Sequence, residues 1–324
     1  MTSAAAARAH AQVAQHADAQ QVQRRGYALG LLGVALFALT IPMTRLASGS
    51  LAAPQLSPWF VASGRAAFAG ALAALYLLAV RAPRPSAAQW RVLALTAVGV
   101  VFGFPLFMGL AVVRVDAIHA SVVTGILPLV TAALGAWLLG QPQRQLFWAF
   151  AGVGCLLVVA FAWWRGGAAL QLADALLAMA LLLGALGYVW GAKLSATMRP
   201  EHVISWVLVL ALPVTLPATV WTWPATPVQP ASWLGFAYVA LFSMWLGFFA
   251  WYRALALGGT VRVSQVQLLQ PFLSIVAALP ILGEAVDAAT CVFLLAVMGV
   301  VFASRRVASS SAASLAPARG SSKP

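Results

Sequence analysis

The chain has 324 residues, of which 63% are apolar and only 8% charged, with a mean hydropathy of +0.93. Soluble globular domains carry roughly 25% charged residues, so this composition excludes that class and indicates an integral membrane protein. The net charge of +13 does not mark a nucleic-acid binder, because the 19 Lys and Arg residues are scattered at the ends of apolar segments and do not gather on a polar domain.

Residues 1–26 are rich in Ala, Gln and His and read as a cytoplasmic tail. Tyr27 to Ala47 is the first apolar run; about 20 residues at 1.5 Å each cross roughly 30 Å of hydrocarbon. Leu46-Ala47-Ser48 also has the small residues of a signal-peptide cleavage site, but cleavage would spoil the repeat described below. Further spans are predicted at Ser57 to Val80, Trp90 to Val113, Ala117 to Leu139, Gln145 to Trp164 and Leu172 to Leu194. Four more follow, at Val203 to Trp223, Ser232 to Leu257, Thr260 to Leu282 and Val286 to Ala303. All should be helices, since bare backbone polar groups cannot face lipid. Residues 307–324 are low-complexity and read as a disordered cytoplasmic tail.

Basic residues set the orientation. With the N-terminus inside, 15 Lys and Arg fall on the cytoplasmic side and only Arg45, Arg114 and Arg165 on the other, with Arg65 left inside a span. Both termini are therefore expected in the cytoplasm, in the inner (plasma) membrane. Trp59, Trp163, Trp164, Trp221, Trp223 and Trp233 fall near outer ends, as an aromatic belt should. Cys155 and Cys291 sit inside apolar runs and are read as buried, unreactive thiols.

The stretch Ser264 to Glu284 repeats an earlier one. An offset of 143 sets Pro271 on Pro128, Gly283 on Gly140, Glu284 on Gln141, Ser264 on Ser121, Gln267 on Thr124 and Ser274 on Thr131. The polar positions recur at i, i+3, i+7 and i+10, which makes one stripe on a helix. The offset relates spans four and nine, so ten spans divide into two halves of five. Because five is odd, the second half enters the membrane inverted relative to the first, an architecture common among secondary transporters with midplane sites and broken helices. Pro42, Pro105, Pro128, Pro213, Pro217, Pro271 and Pro280 lie within spans, and each removes an intrahelical hydrogen bond.

QPFLSIVAALPILGE and its weaker copy LPLVTAALGAWLLGQ resemble the paired repeats of EamA-type permeases of the drug/metabolite transporter superfamily. Arg65 in ASGRAAFAGALAALYLL is similar to that family's arginine near the start of its second helix, and Asp174 to the acid opening its sixth. The resemblance covers residues 27 to 306 and implies a ten-helix basket around a central cavity that moves small metabolites, often outward. One departure is that the first repeat ends in Gly140-Gln141, leaving the family's glutamate to Glu284 alone.

The candidate substrate-binding residues are Ser121, Thr124, Pro128, Thr131, Ser264, Gln267, Gln270, Pro271 and Ser274, with Arg65 as either an anion receptor or a structural link to carbonyls. Tyr188 and Trp245 are candidate aromatic walls. Gly187 and Gly191 form a GxxxG for close helix approach. Glu284 is read as capping the next helix or pairing locally, with proton carriage the sharper alternative, and His119 as making an interfacial hydrogen bond.

Enzymatic readings find no support: HExxH, a Gly-rich phosphate loop and a cysteine cluster are all missing. The expectation is an all-α polytopic membrane protein with ten transmembrane helices in two inverted five-helix repeats, 27–165 and 166–306. It should work by alternating access as a secondary exporter of amino acids or related compounds, without a cofactor. Its partners are a small-molecule metabolite and the lipid bilayer, with protons as the candidate coupling ion; no nucleic acid and no oligomeric state is implied. A passive channel and a non-transporting membrane scaffold are the alternatives.

Overall fold

Long apolar runs separated by Pro, Gly and polar residues fold as helices joined by short connections. The structure, a computed structural model, describes residues 21–22, 24–138, 140, 145–258 and 264–314. Among these no strand occurs beyond one isolated bridge between Gly49 and Pro54.

Eight helices are long and apolar enough to cross a membrane: α1 (Arg24–Ser48), α2 (Pro58–Ala79), α3 (Ala87–Val112), α4 (Ala117–Leu138), α5 (Gln145–Arg165), α6 (Leu172–Ser195), α7 (Pro200–Trp221) and α8 (Pro230–Ala254). Two shorter apolar helices follow, α9 (Val266–Leu282) and α10 (Ala288–Ser304). The chain is thus a multi-pass, all-helical membrane protein. Within α9 the helix is not regular throughout: Ser264–Leu269 is a 3₁₀ turn, and the α-helix begins at Gln270.

Local chemistry sets the ends. Ser57 Oγ accepts from Phe60 N–H ahead of Pro58 to start α2. A capping box of Ser86 and Gln89 starts α3. Gly140 and Gly283 both take left-handed φ values, +62° and +67°, where an L side chain would be strained. They are 143 residues apart, matching the sequence offset.

Helix pairing follows a pattern. α2 packs along α7, α4 against α9, and α5 against α10, while α1 meets α8 as α3 meets α6. Two large apolar clusters result, one centred on α4, α6 and α10 and one on α1, α2, α7 and α8. Phe68, Leu75, Leu78, Leu156, Trp163 and Leu295, among others, are exposed on the outside of the bundle, as lipid contact requires. Cys155 and Cys291 are exposed there too, which corrects the expectation of buried thiols. An apolar run in a membrane helix surrounds its lipid face as readily as its packed face, so hydropathy alone misplaced them.

Helices α3 and α6 touch backbone to backbone. A Cβ added at Gly99 would lie 2.4 Å from the Leu183 carbonyl oxygen and 2.6 Å from Gly187 Cα. Gly187 therefore serves close approach as its GxxxG implied. Gly191 instead faces the hydroxyl of Tyr252, 2.9 Å from where a Cβ would sit.

Candidate substrate cavity

Helices α4 and α9 are both broken mid-span. In α4 the segment Ala117–Thr124 ends in a turn at Gly125 and Ile126, and Leu127–Leu138 restarts with Pro128 at its second position. In α9 the 3₁₀ turn gives way to an α-helix with Pro271 second. Proline has no N–H and suits a helix's first turn, so each one marks a restart after a break.

The breaks face a central cavity of about 800 Å³, its mouth included, between the two apolar clusters. Of the sequence candidates, Arg65, Thr124, Pro128, Tyr188, Gln267, Gln270, Pro271 and Ser274 line it. Ser121 does not, because its hydroxyl is buried against Ser274, Oγ to Oγ 2.8 Å. Thr131 is half-buried off the lining and donates to the Leu127 carbonyl at 2.8 Å. Trp245 lies off the lining as well, donating from Nε1 to Ser205 Oγ at 3.1 Å and packing on Tyr76 and Phe249. The side chain of Ser264 lies outside the described residues.

Sequence reasoning missed Thr40 and Ser243, which hold Arg65 in place. Arg65 Nη2 donates to Ser243 Oγ at 2.8 Å, and Thr40 Oγ1 lies 2.8 Å from the same oxygen. Thr44 in turn donates to the Thr40 carbonyl at 2.6 Å. Ser243 belongs to a π-helical segment, Val239–Leu246, and α3 carries another, Val98–Gly103, whose last residue is again 143 positions earlier. Such wide turns redirect side chains and recur at functional sites. The available signal was two isolated hydroxyls inside apolar runs, LFALTIP and LFSMWLG.

At the bundle end carrying Glu284, polar bonds tie the breaking helices together. Glu284 Oε1 and Oε2 accept from the Ala117 and Ile118 backbone N–H groups at 2.7 and 2.8 Å. The reading of Glu284 as the cap of the following helix is thereby corrected: it caps α4, 167 residues away, whereas α10 is capped by Asp287, which accepts from Thr290 N–H at 2.6 Å. Asp116, the residue before α4, makes no side-chain cap, so the distant carboxylate fills the position. Burial raises the Glu284 pKa, outweighing the two amide bonds; the exposed Asp287 is shifted down by its bonds to Thr290.

His119 has a definite partner, Asp174, with Nε2 2.8 Å from Oδ1. The other oxygen of Asp174 accepts from Gln171 N–H at 2.8 Å, so one carboxylate starts α6 and fastens it to α4. Asp174→Ala should lower stability by about 1–3 kcal/mol, read as an earlier thermal unfolding in detergent, while Asp174→Asn keeps part of both contacts and loses less. Arg165 bridges Asp287 and Asp116 at 3.0 and 3.5 Å on the exposed rim, where each pair contributes at most about 1 kcal/mol.

Residues 24–163 and 171–305 each match the model of the EamA-like transporter family. The chain belongs to that family. A Bacillus subtilis (strain 168) protein named "Uncharacterized transporter YdeK" is 43% identical over 287 residues, 87% of this chain and 98% of that protein. A solved crystal structure is similar in fold, with a TM-score of 0.59 and 18% identity, covering 91% of this chain and 99% of its own. This EamA-like protein is accordingly a membrane transporter of small molecules in a lipid environment and not an enzyme, and its cavity is the place to seek its cargo.

Proposed function

We propose that the chain is a secondary carrier that moves amino acids or related small metabolites outward across the plasma membrane by alternating access. The observation that carries this reading is the meeting of two broken helices at one cavity, with hydrogen bonds from Glu284 and Ser121 tying the two helices at one end. Ten membrane helices in two inverted repeats, 27–165 and 166–306, fit the 143-residue offset shared by the prolines, the left-handed glycines and the π segments. Self-paired α2–α7, α4–α9 and α5–α10, with α1–α8 mirrored by α3–α6, are the contacts a two-fold axis generates.

In this reading the bonds of Glu284 and of Ser121 to Ser274 form the gate at the bundle end that carries Glu284. Breaking two amide bonds and one hydroxyl bond is a modest cost for a gate that must open on the timescale of transport. Proton coupling fits a Glu284 that holds its proton more tightly than an ordinary carboxylate.

Reconstituted liposomes test the reading with labelled amino acids, nucleosides and amines. A carrier gives saturable flux and counterflow. Flux that neither saturates nor exchanges indicates a channel, and no flux at all, with the stripe dispensable for folding, indicates a scaffold. Thr124→Val and Gln267→Leu each remove one polar group from the lining and should slow the transported solute by roughly tenfold, at about 1.4 kcal/mol per decade. Parent rates in both folded variants would remove these residues from the path. A reporter fused after Arg306 should lie in the cytoplasm; an external signal overturns the topology.

A further inference from the structure

Arg65 is the one charged side chain on the cavity wall among the described residues. It is 3% exposed, and of its nitrogens Nη2 is held by Ser243 while Nε is buried without a partner. Among the described residues no acid neutralises it. Of the six acidic residues, Asp18 lies outside the described residues, and the other five are engaged elsewhere. Asp174 holds His119, Glu284 caps α4, and Asp116 and Asp287 meet Arg165. Glu201 lies 3.9 Å from Arg253.

A guanidinium kept deep in a membrane bundle without a counter-ion is costly, and such residues pair or mark a ligand path. Here the pairing within the protein is one neutral hydroxyl. The bond to Ser243, which Thr40 in turn holds, fastens Nη2 and leaves Nε without a partner. Arginine's planar fork matches a carboxylate by two parallel hydrogen bonds, and such charge-assisted bonds are the strong ones. A single positive charge is balanced by a single negative one, which favours a carboxylate over a doubly charged phosphate.

The rest of the wall suits the other parts of such a molecule. Phe104, Met244 and Phe248 offer apolar surface. Pro128 lacks the N–H that the Thr124 carbonyl would meet in a regular α-helix, leaving an acceptor for an ammonium group. With no carboxylate on the wall, an amine lacking its own acid meets only the positive Arg65 and neutral groups.

Building on the carrier reading above, we propose that Arg65 binds the carboxylate of the transported solute. The carrier then takes small carboxylic acids, α-amino acids included, and rejects amines from which the carboxylate is missing. Ser243 and Thr40 are positioning residues for this contact.

The test uses the full chain in proteoliposomes with two matched sets. One is leucine, its decarboxylated counterpart isoamylamine and its deaminated counterpart 4-methylpentanoate; the other is phenylalanine, phenethylamine and 3-phenylpropionate. At least one acid-bearing member should drive counterflow, with its amine roughly 100-fold poorer, as expected when one partner of a buried charge pair is lost. Arg65→Gln should abolish that flux and Arg65→Lys restore part of it. Because Arg65→Gln can fail to fold, Ser243→Ala is measured beside it: the charge stays but is held less firmly, so apparent affinity for the acid falls severalfold while the preference over the amine persists. Thermal unfolding in detergent gives an independent readout, with the acids but not the amines raising the midpoint of the parent. An amine carried as well as its acid, or a folded Arg65→Gln that moves the acid at the parent rate, overturns the assignment. Carrier-dependent flux confined to solutes without a carboxylate overturns it while leaving the carrier reading intact. Absence of flux for every labelled solute overturns both.

Discussion

Glu284→Ala is expected to release the amino-terminal end of α4 from the α9–α10 connection and to lower stability by about 2–4 kcal/mol. Two part-buried backbone donors, Ala117 N–H and Ile118 N–H, lose their acceptor, and a donor left unsatisfied costs about 1–3 kcal/mol, toward the lower end where it is only partly buried. No nearer residue replaces it, since Asp116 does not cap the helix. Thermal unfolding in detergent measures the loss, and transport should fall with it because the proposed gate between α4 and the α9–α10 connection is weakened. Glu284→Gln keeps a neutral acceptor and should lie between parent and Ala.

The pH profile separates the charge from the contact. Glu284 has a folded-state pKa above the ordinary glutamate value, so it binds its proton more tightly folded than unfolded. Its contribution to stability is therefore complete below the ordinary value and declines as pH rises through the raised one. Glu284→Gln should lack that decline. If parent and Glu284→Gln show the same slope across the window, the carboxyl does not titrate as argued.

Gly99→Val is the second large effect. The added Cβ alone would stand 2.4 Å from the Leu183 carbonyl oxygen, and backbone atoms cannot yield as a side-chain tip can. Helices α3 and α6 must separate, which costs about 3 kcal/mol or more and disturbs the wall that carries Val100, Gly184 and Tyr188. The variant should be lost from the membrane or elute as aggregate on size exclusion. Gly152→Ala provides the control, since a Cβ there meets nothing within 4 Å. A monodisperse Gly99→Val with parent thermal stability would refute the close approach.

The membrane class, the run of helices and the offset of 143 were legible in the residues. Hydropathy is additive along a chain, and proline, glycine and hydroxyl side chains stand out against an apolar background. Pro128 and Pro271 were recognised for that reason, and both lie on the cavity wall. Their effect was less legible: whether proline bends a helix or restarts one depends on the preceding turn, here a break at Gly125 and a 3₁₀ segment before Gln270.

The site was only half readable. Thr124, Gln267 and Arg65 were found because polarity inside a span is conspicuous, yet Trp245 was chosen from the same helix as Ser243, two positions from the residue that holds Arg65. The π segment around Ser243 changes which residues share a face, and no local pattern announces it.

By itself the sequence determined that this is a multi-pass helical membrane protein in which one pattern of proline, glycine and polar residues recurs 143 positions later. Only the tertiary structure decided that Glu284 reaches the start of α4, that Asp174 reaches His119, and that Arg65 meets Ser243 but no acid among the described residues. The reason lies in the solvent. In water, polarity separates outside from inside, but lipid is as apolar as the packed interior, so which face of a helix looks inward is set by contacts between residues far apart in the chain.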